Sequence, residues 1–217
     1  MNEVDFTSCR RVSGRAYNGA NGKKLAVEWR GACWILKFPP SAAERPNDLS
    51  YSNSCFSEHL ASTIFRMLGI RTQEFDRHNG NWGFLVDRAT GLAEIAPVFD
   101  CGSCLLPQAD ERIMRKMLSD KAELEARIYM FPSSMLKIGG EKIGYARFLA
   151  DPPEDLKSAI DRIVPRIDMP AISSFVDEVP YLTDLQRVFY KTYLLARYDR
   201  LLRPFAKKTC HLRHENG

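Results

Sequence analysis

Three side chains that can supply oxygen ligands stand at defined distances in the middle of this chain. Asp76 and Asn81 lie five positions apart in the stretch Asp-Arg-His-Asn-Gly-Asn-Trp-Gly-Phe, and Asp100 follows nineteen positions after Asn81. Moving a phosphoryl group from ATP depends mostly on positioning and on neutralising charge. One carboxylate must orient the acceptor hydroxyl, while an amide oxygen and a second carboxylate hold Mg²⁺ on the phosphates. Asp76 suits the first role, and Asn81 and Asp100 suit the second.

Two short strands are predicted between Asn81 and Asp100. Residues 82–86 and 92–98 are rich in apolar residues, and a polar turn at 87–91 separates them. Such a hairpin would fold Asp100 back beside Asn81. The Asp-x-x-x-x-Asn spacing alone also fits a polar hairpin in an ordinary domain, so the interpretation depends on the rest of the chain.

A turn near the amino terminus has the composition of a phosphate-binding loop. Its central residues are Gly19, Ala20, Asn21 and Gly22. Glycine lets the backbone approach an anion, whose charge the N–H groups of the turn can meet. Alternating apolar residues predict a half-buried hairpin directly after it, with strands at 25–29 and 32–38. By itself, the turn indicates only a hairpin.

Lys37 is out of phase with the apolar residues of its strand, Trp34, Leu36 and Phe38. Because side chains alternate along a strand, Lys37 is predicted to point to the opposite face. That face would look into a nucleotide cleft. The alternative is a solvated lysine on an open sheet face.

A helix is predicted from Ser57 to Gly69, with Ser57 as its N-cap and the glycine at its end. Its core stripe would be Leu60, Ile64, Phe65 and Leu68. Glu58 would then lie in the first turn, where its charge suits the helix dipole. Either Glu58 pairs with Lys37, as a strand lysine and a helix glutamate do in kinases, or it is a plain capping glutamate.

The sequences of these motifs resemble those of the HipA-like protein kinases, and most closely those of their short CtkA-type branch. The similar stretches are DRHNGNWGF at 76–84, APVFD at 96–100 and WILKFPP at 34–40. In that family an Asp-x-His-x-x-Asn-(Trp/Phe) loop replaces the usual His-Arg-Asp version. The resemblance implies an α+β, protein-kinase-like fold with a small β lobe, here truncated, and a mainly helical large lobe.

The same resemblance implies a serine/threonine protein kinase that uses ATP and Mg²⁺ and acts on a protein substrate. It assigns catalysis to Asp76, Lys37 and Glu58, and the metal to Asn81 and Asp100. The nucleotide would be contacted by Lys37, by His78 and by the turn at 19–22.

A segment that the resemblance leads one to expect is absent. After Glu74 the similar kinases continue with further small-lobe strands, the hinge that grips adenine and the first large-lobe helices, whereas here Phe75 follows at once. The expected organisation is a partial small lobe at 1–74, a large lobe at 75–206 and a basic tail at 207–217. Loss of the hinge predicts weak ATP affinity and exposed apolar faces that invite self-association. A catalytically impaired remnant that acts as a binding module is therefore the alternative function.

The second half of the chain is predicted to be mainly helical. Helices are expected at 110–118, 121–129, 154–164, 169–176 and 183–202. The last is long and amphipathic, with a predicted core face formed by Leu185, Val188, Phe189, Thr192, Leu195, Ala196 and Leu202.

The composition indicates which partners and which cellular compartment are expected. The chain has 217 residues, of which 45% are hydrophobic and 27% charged, and a formal net charge of +4. No apolar run reaches membrane-spanning length, and the start is polar, so we expect a cytoplasmic protein without a membrane partner. A balance of 31 basic to 27 acidic residues without interleaved aromatic residues does not favour nucleic acid. Six scattered cysteines, including the pair Cys101 and Cys104, are expected to be free thiols.

Overall fold

The structure is a computed structural model that describes residues 4–12, 23–38, 53–73, 84–99, 101–130 and 137–204. The chain divides into two compact units, Met1–Asp110 and Glu111–Gly217. Several predicted features lie outside the described residues: the turn at 19–22, the loop with Asp76, His78 and Asn81, the aspartate Asp100, and the tail at 207–217. The lobe boundary predicted after residue 74 also falls there and stays a prediction.

The first unit contains a three-stranded antiparallel sheet in the order β1, β2, β3. Its strands are Arg10–Arg11, Lys23–Trp29 and Ala32–Phe38. The predicted hairpin is thus confirmed, and Arg30 (φ 50) and Gly31 (φ 75) form its tight turn. Positive φ at both central residues matches the strand twist and is typical of two-residue hairpins.

Helix α1, Ser54–Met67, begins three residues earlier than predicted. Its N-cap is Asn53, so the prediction of Ser57 as N-cap is wrong, and Glu58 lies beyond the first turn. The physical reason is that Ser57 is fully buried and its hydroxyl accepts a tertiary hydrogen bond from the Leu105 amide. Two residues of the predicted core stripe of α1, Leu60 and Leu68, are buried as expected, at 0% and 7% exposure.

Four short strands follow α1 in the first unit. Strand β4, Thr72–Gln73, pairs in parallel with β7, Val98–Phe99, while β5, Phe84–Val86, pairs antiparallel with β6, Ala93–Ile95. The predicted hairpin is therefore present, but the strand expected at 92–98 is broken before β7. Pro97 lies at the break, and proline has no N–H for a ladder.

The second unit is mainly helical. Its elements are α2 Glu111–Ser119, α3 Lys121–Tyr129, β8 Lys137–Ile138, β9 Glu141–Lys142, α4 Tyr145–Ala150, α5 Glu154–Ile163, α6 Met169–Glu178 and α7 Asp184–Arg197. All five predicted helices are confirmed, and their ends agree with the prediction to within two residues with one exception. The last helix was predicted to run to residue 202, but α7 ends at Arg197 and a π-helical turn, Tyr198–Leu202, follows it. Helix α4 and the β8–β9 hairpin were not predicted.

Helix α7 buries only part of the face that was predicted. Phe189, Tyr190 and Tyr193 are at most 1% exposed, whereas Val188 is 49% and Leu195 46% exposed. Aromatic rings have the largest apolar area to bury, and the Phe189 and Tyr193 rings lie parallel with centroids 6.0 Å apart. The prediction is therefore confirmed for Phe189 and wrong for Val188 and Leu195, and it left out both buried tyrosines.

Two expectations from composition can be compared with the described residues. None of the helices there is both long and apolar enough to cross a bilayer. The cysteines there, which are Cys9, Cys33, Cys55, Cys101 and Cys104, are free thiols.

Replacing Thr183 with alanine tests the start of α7. The Thr183 hydroxyl accepts from the Gln186 amide at 3.2 Å, and the Gln186 side chain accepts from the Thr183 amide at 2.8 Å. Loss of this capping box should lower the free energy of unfolding by about 1 kcal/mol in urea denaturation. The control is Thr192→Ala in the middle of α7, which should cause no loss because alanine favours helix. Equal stability of the two variants would show that the cap contributes nothing.

Candidate active site

The structure brings together two of the predicted site residues, Lys37 and Glu58. Lys37 Nζ donates to both carboxylate oxygens of Glu58, at 3.0 and 2.8 Å. The two side chains are only 25% and 16% exposed. By comparison, the Arg10–Glu28 pair on the same sheet is 81% and 45% exposed. Exposed pairs contribute at most about 1 kcal/mol, while a part-buried pair is screened less but costs desolvation. The main consequence of the pair is a fixed orientation of the Lys37 ammonium.

Strand register explains the direction in which Lys37 points. Leu36 opposes Leu25 in the β2–β3 ladder, and Lys37 opposes Lys24 one position later. Because neighbouring side chains alternate between faces, Lys37 and Lys24 share the face opposite to the one that carries Leu36. Two ammonium groups therefore lie on this face, together with the Glu58 carboxylate that binds Lys37.

Helix α1 is fixed to strand β3 at a second point. The Cys55 thiol donates to the backbone carbonyl of Lys37 at 3.6 Å, three residues before Glu58. Burial is the main cause that raises the pKa of the Cys55 thiol above its ordinary value, and the nearby Glu58 carboxylate adds to the rise. The thiol therefore stays protonated at neutral pH and acts as a donor.

The same end of α1 holds the chain segment that follows Asp100. The Leu105 amide donates to the Ser57 hydroxyl at 3.0 Å, and the Asn53 side-chain amide donates to the Ala109 carbonyl at 2.6 Å. Leu105 and Ala109 are 5% and 3% exposed. The first turns of α1 thus contact both the strand that carries Lys37 and the segment at 101–109.

Parallel pairing of β4 and β7 relates the two segments that carry the other predicted site residues. Gln73 and Phe99 are register partners at the carboxyl ends of these strands. Asp76 follows Gln73 by three positions, and Asp100 follows Phe99 by one. In a parallel pair the chain leaves both strands at the same edge. Asp76, His78, Asn81, Asp100 and the turn at 19–22 themselves lie outside the described residues, so their roles stay predictions.

Sequence reasoning missed the contacts of Asn53, Cys55 and Ser57. A signal was available for Ser57, which precedes Leu60 by three positions and Ala61 by four. Those spacings place the serine on the apolar stripe of a helix, and a hydroxyl on such a stripe needs a hydrogen-bond partner. The partner itself, an amide 48 positions away, could not be inferred from the pattern.

Known proteins were compared with the chain. No family model matches it. The serine/threonine-protein kinase CtkA of Helicobacter pylori strain J99 is 31% identical over an alignment of 284 positions, which covers 93% of this chain and 87% of the relative. A crystal structure of a Helicobacter pylori proinflammatory kinase CtkA is 30% identical, with a TM-score of 0.85 over 97% of this chain and 99% of that chain.

The length of that alignment shows that the relative contains residues that this chain lacks. The alignment has 284 positions, 67 more than the 217 residues of the whole chain. At least 67 aligned positions of the relative therefore have no counterpart here.

The likeness in sequence and in structure extends over nearly the whole chain. It includes the small sheets of the first unit and the helices of the second, so the fold is the α+β, kinase-like fold implied by the sequence motifs. The chain belongs to the CtkA-type family of protein kinases.

Proposed function

We propose that this chain is a serine/threonine protein kinase that transfers the γ-phosphate of ATP to a protein hydroxyl. The observation that supports the proposal most is the part-buried ion pair of Lys37 and Glu58, with Nζ to oxygen distances of 3.0 and 2.8 Å. Kinases need this lysine and glutamate in contact, because the glutamate holds the ammonium where it can meet the phosphates of ATP. Use of ATP is general in the family.

The residues present fit a magnesium nucleotide. Lys37 and Lys24 offer positive charge on one face of the sheet, and the turn predicted at 19–22 would offer backbone N–H groups. Asn81 and Asp100 offer the amide and carboxylate oxygens that Mg²⁺ prefers, and they would hold it. The ion, when bound, would neutralise charge on the phosphates. His78 is proposed to contact the nucleotide, as the resemblance implies.

Asp76 is proposed to orient the hydroxyl of the protein substrate and to accept its proton. The shared edge of β4 and β7 supports a common location for Asp76 and Asp100, since three residues span at most about 11 Å. An acceptor hydroxyl held by Asp76 would then lie near the phosphates that Lys37 and the metal ligands hold.

A second candidate is a kinase remnant that binds partners without catalysis. Two observations favour it. The relative has at least 67 aligned residues that this chain lacks, and we place the gap between Glu74 and Phe75, where the family has its hinge. In addition, Val86, Leu92 and Ile95 of the β5–β6 hairpin are 59%, 72% and 72% exposed. A two-stranded sheet with such side chains is marginal in water and open to association, including self-association.

Calorimetric titration with ATP and Mg²⁺ separates the two candidates. The kinase proposal predicts saturable binding, which Lys37→Met should weaken about tenfold or more, because a charge-assisted contact to phosphate is lost. Lys137→Met, an exposed lysine of β8, is the matched control and should bind like the wild type. No saturable binding by folded wild-type protein would leave only the remnant.

Phosphoryl transfer is the next test. Asp76→Ala should lower transfer of labelled γ-phosphate to a generic acceptor protein by about 10²-fold or more, because the hydroxyl loses its orienting base. Asp87→Asn, an exposed turn carboxylate, is the control and should leave the rate unchanged. Unchanged transfer by Asp76→Ala would contradict the assigned role, and ATP binding without any transfer by the wild type would favour the binding module.

A further inference from the structure

We propose that Ser57 is a positioning residue that couples helix α1 to the metal-binding carboxylate assigned to Asp100. This inference rests on the proposed function and deepens it. Nothing in the motifs or in the comparisons assigns a role to this serine. It is fully buried, although a serine is usually found at the surface or at a cap.

The Ser57 hydroxyl lies between α1 and the residues that follow Asp100. Its Oγ accepts from the Leu105 amide at 3.0 Å and donates over a longer 3.5 Å to the Cys101 carbonyl. Cys101 is bonded directly to Asp100 and is 2% exposed. The hydroxyl therefore holds both sides of the short 3₁₀ turn that begins one residue after the carboxylate.

Asn53 forms a second attachment between the same two segments. Its side-chain amide donates to the Ala109 carbonyl at 2.6 Å, and its backbone amide donates to the Pro107 carbonyl at 3.1 Å. With the Ser57 bonds, the contacts reach from residue 101 to residue 109. The stretch after Asp100 is thus attached along its length to the first turns of α1.

Adjacent residues of one helix turn serve two different groups. Ser57 contacts the 101–105 stretch, while Glu58 binds Lys37 at 2.8 Å. Successive residues point about 100° apart around a helix, so one rigid turn can hold both contacts at once. The geometry of this turn therefore relates the Lys37 ammonium to the 101–105 stretch, to which Asp100 is bonded. Such preorganisation matters because small displacements of a ligand reduce binding and catalysis strongly.

Removing the hydroxyl has a defined consequence. In Ser57→Ala the Leu105 amide stays buried and loses its acceptor, so the 101–105 stretch must shift to satisfy it. The inference predicts that such a shift is passed on to Asp100, which is bonded to Cys101. Groups that orient metal ligands typically change metal affinity about 10- to 100-fold when they are removed.

The test measures ATP affinity by calorimetry on the full chain, with and without Mg²⁺. Ser57→Ala should reduce about tenfold the gain in ATP affinity that Mg²⁺ confers, while the affinity without Mg²⁺ stays within about twofold of the wild type. Ser62→Ala is the matched control. Ser62 is also buried in α1, at 4% exposure, but its hydroxyl donates to the His59 carbonyl within the helix at 3.2 Å. This control should keep the full gain.

Each result decides the matter. If Mg²⁺ raises the ATP affinity of Ser57→Ala as much as that of the wild type, the inference is overturned and the kinase proposal stays intact. If Ser62→Ala loses as much of this gain as Ser57→Ala, the inference is also overturned, because the effect would then be general destabilisation. Failure of the wild type to bind ATP removes the kinase proposal and this inference with it. If Ser57→Ala does not fold, Asn53→Ala replaces it, with a smaller loss of the gain expected and an unchanged gain overturning the inference.

Discussion

The ion pair between Lys37 and Glu58 is the interaction on which the rest of the candidate site depends. It exists because the β2–β3 register turns Lys37 away from the apolar face of its strand, and because α1 lies against that strand. Cys55, three residues earlier on the helix, fixes the contact by donating to the Lys37 carbonyl. Because burial costs both charges part of their hydration, the pair contributes little net stability. Its main effect is to orient the Lys37 ammonium. It turns a flexible side chain into a cation at a fixed place.

Much of this arrangement could be predicted from the sequence, for identifiable reasons. Alternating apolar residues fixed the hairpin and the direction of Lys37, and helical spacing fixed five helices of the second unit. The start of α1 could not be predicted, because Ser57 has the residue type of a cap and only the distant Leu105 amide shows its actual use. The face of α7 was misjudged because Tyr190 and Tyr193 bury their rings despite their hydroxyls. In both cases the pattern of apolar residues did not show that a residue with a polar group is buried.

The chain retains the residue types of the proposed phosphate site but has fewer residues than the aligned part of its relative CtkA. Asp76, Asn81 and Asp100, to which the proposal assigns the hydroxyl and the metal, are present in the sequence, and Lys37 and Glu58 are in contact. At least 67 aligned positions of CtkA have no counterpart in this chain. The side chains of Val86, Leu92 and Ile95 in the β5–β6 hairpin are exposed. Apolar area left in water forfeits about 25 cal/mol per Å², so the first unit should be the less stable part of the molecule.

Glu58 should act on ATP only through Lys37, and a double-mutant cycle on MgATP affinity measures whether it does. Affinities are measured for the wild type, Glu58→Gln, Lys37→Met and the double variant. We expect Glu58→Gln to weaken MgATP binding several-fold in the wild-type background and to have no further effect once Lys37 is replaced. Equal losses in both backgrounds would contradict it, because the glutamate would then act independently of the lysine.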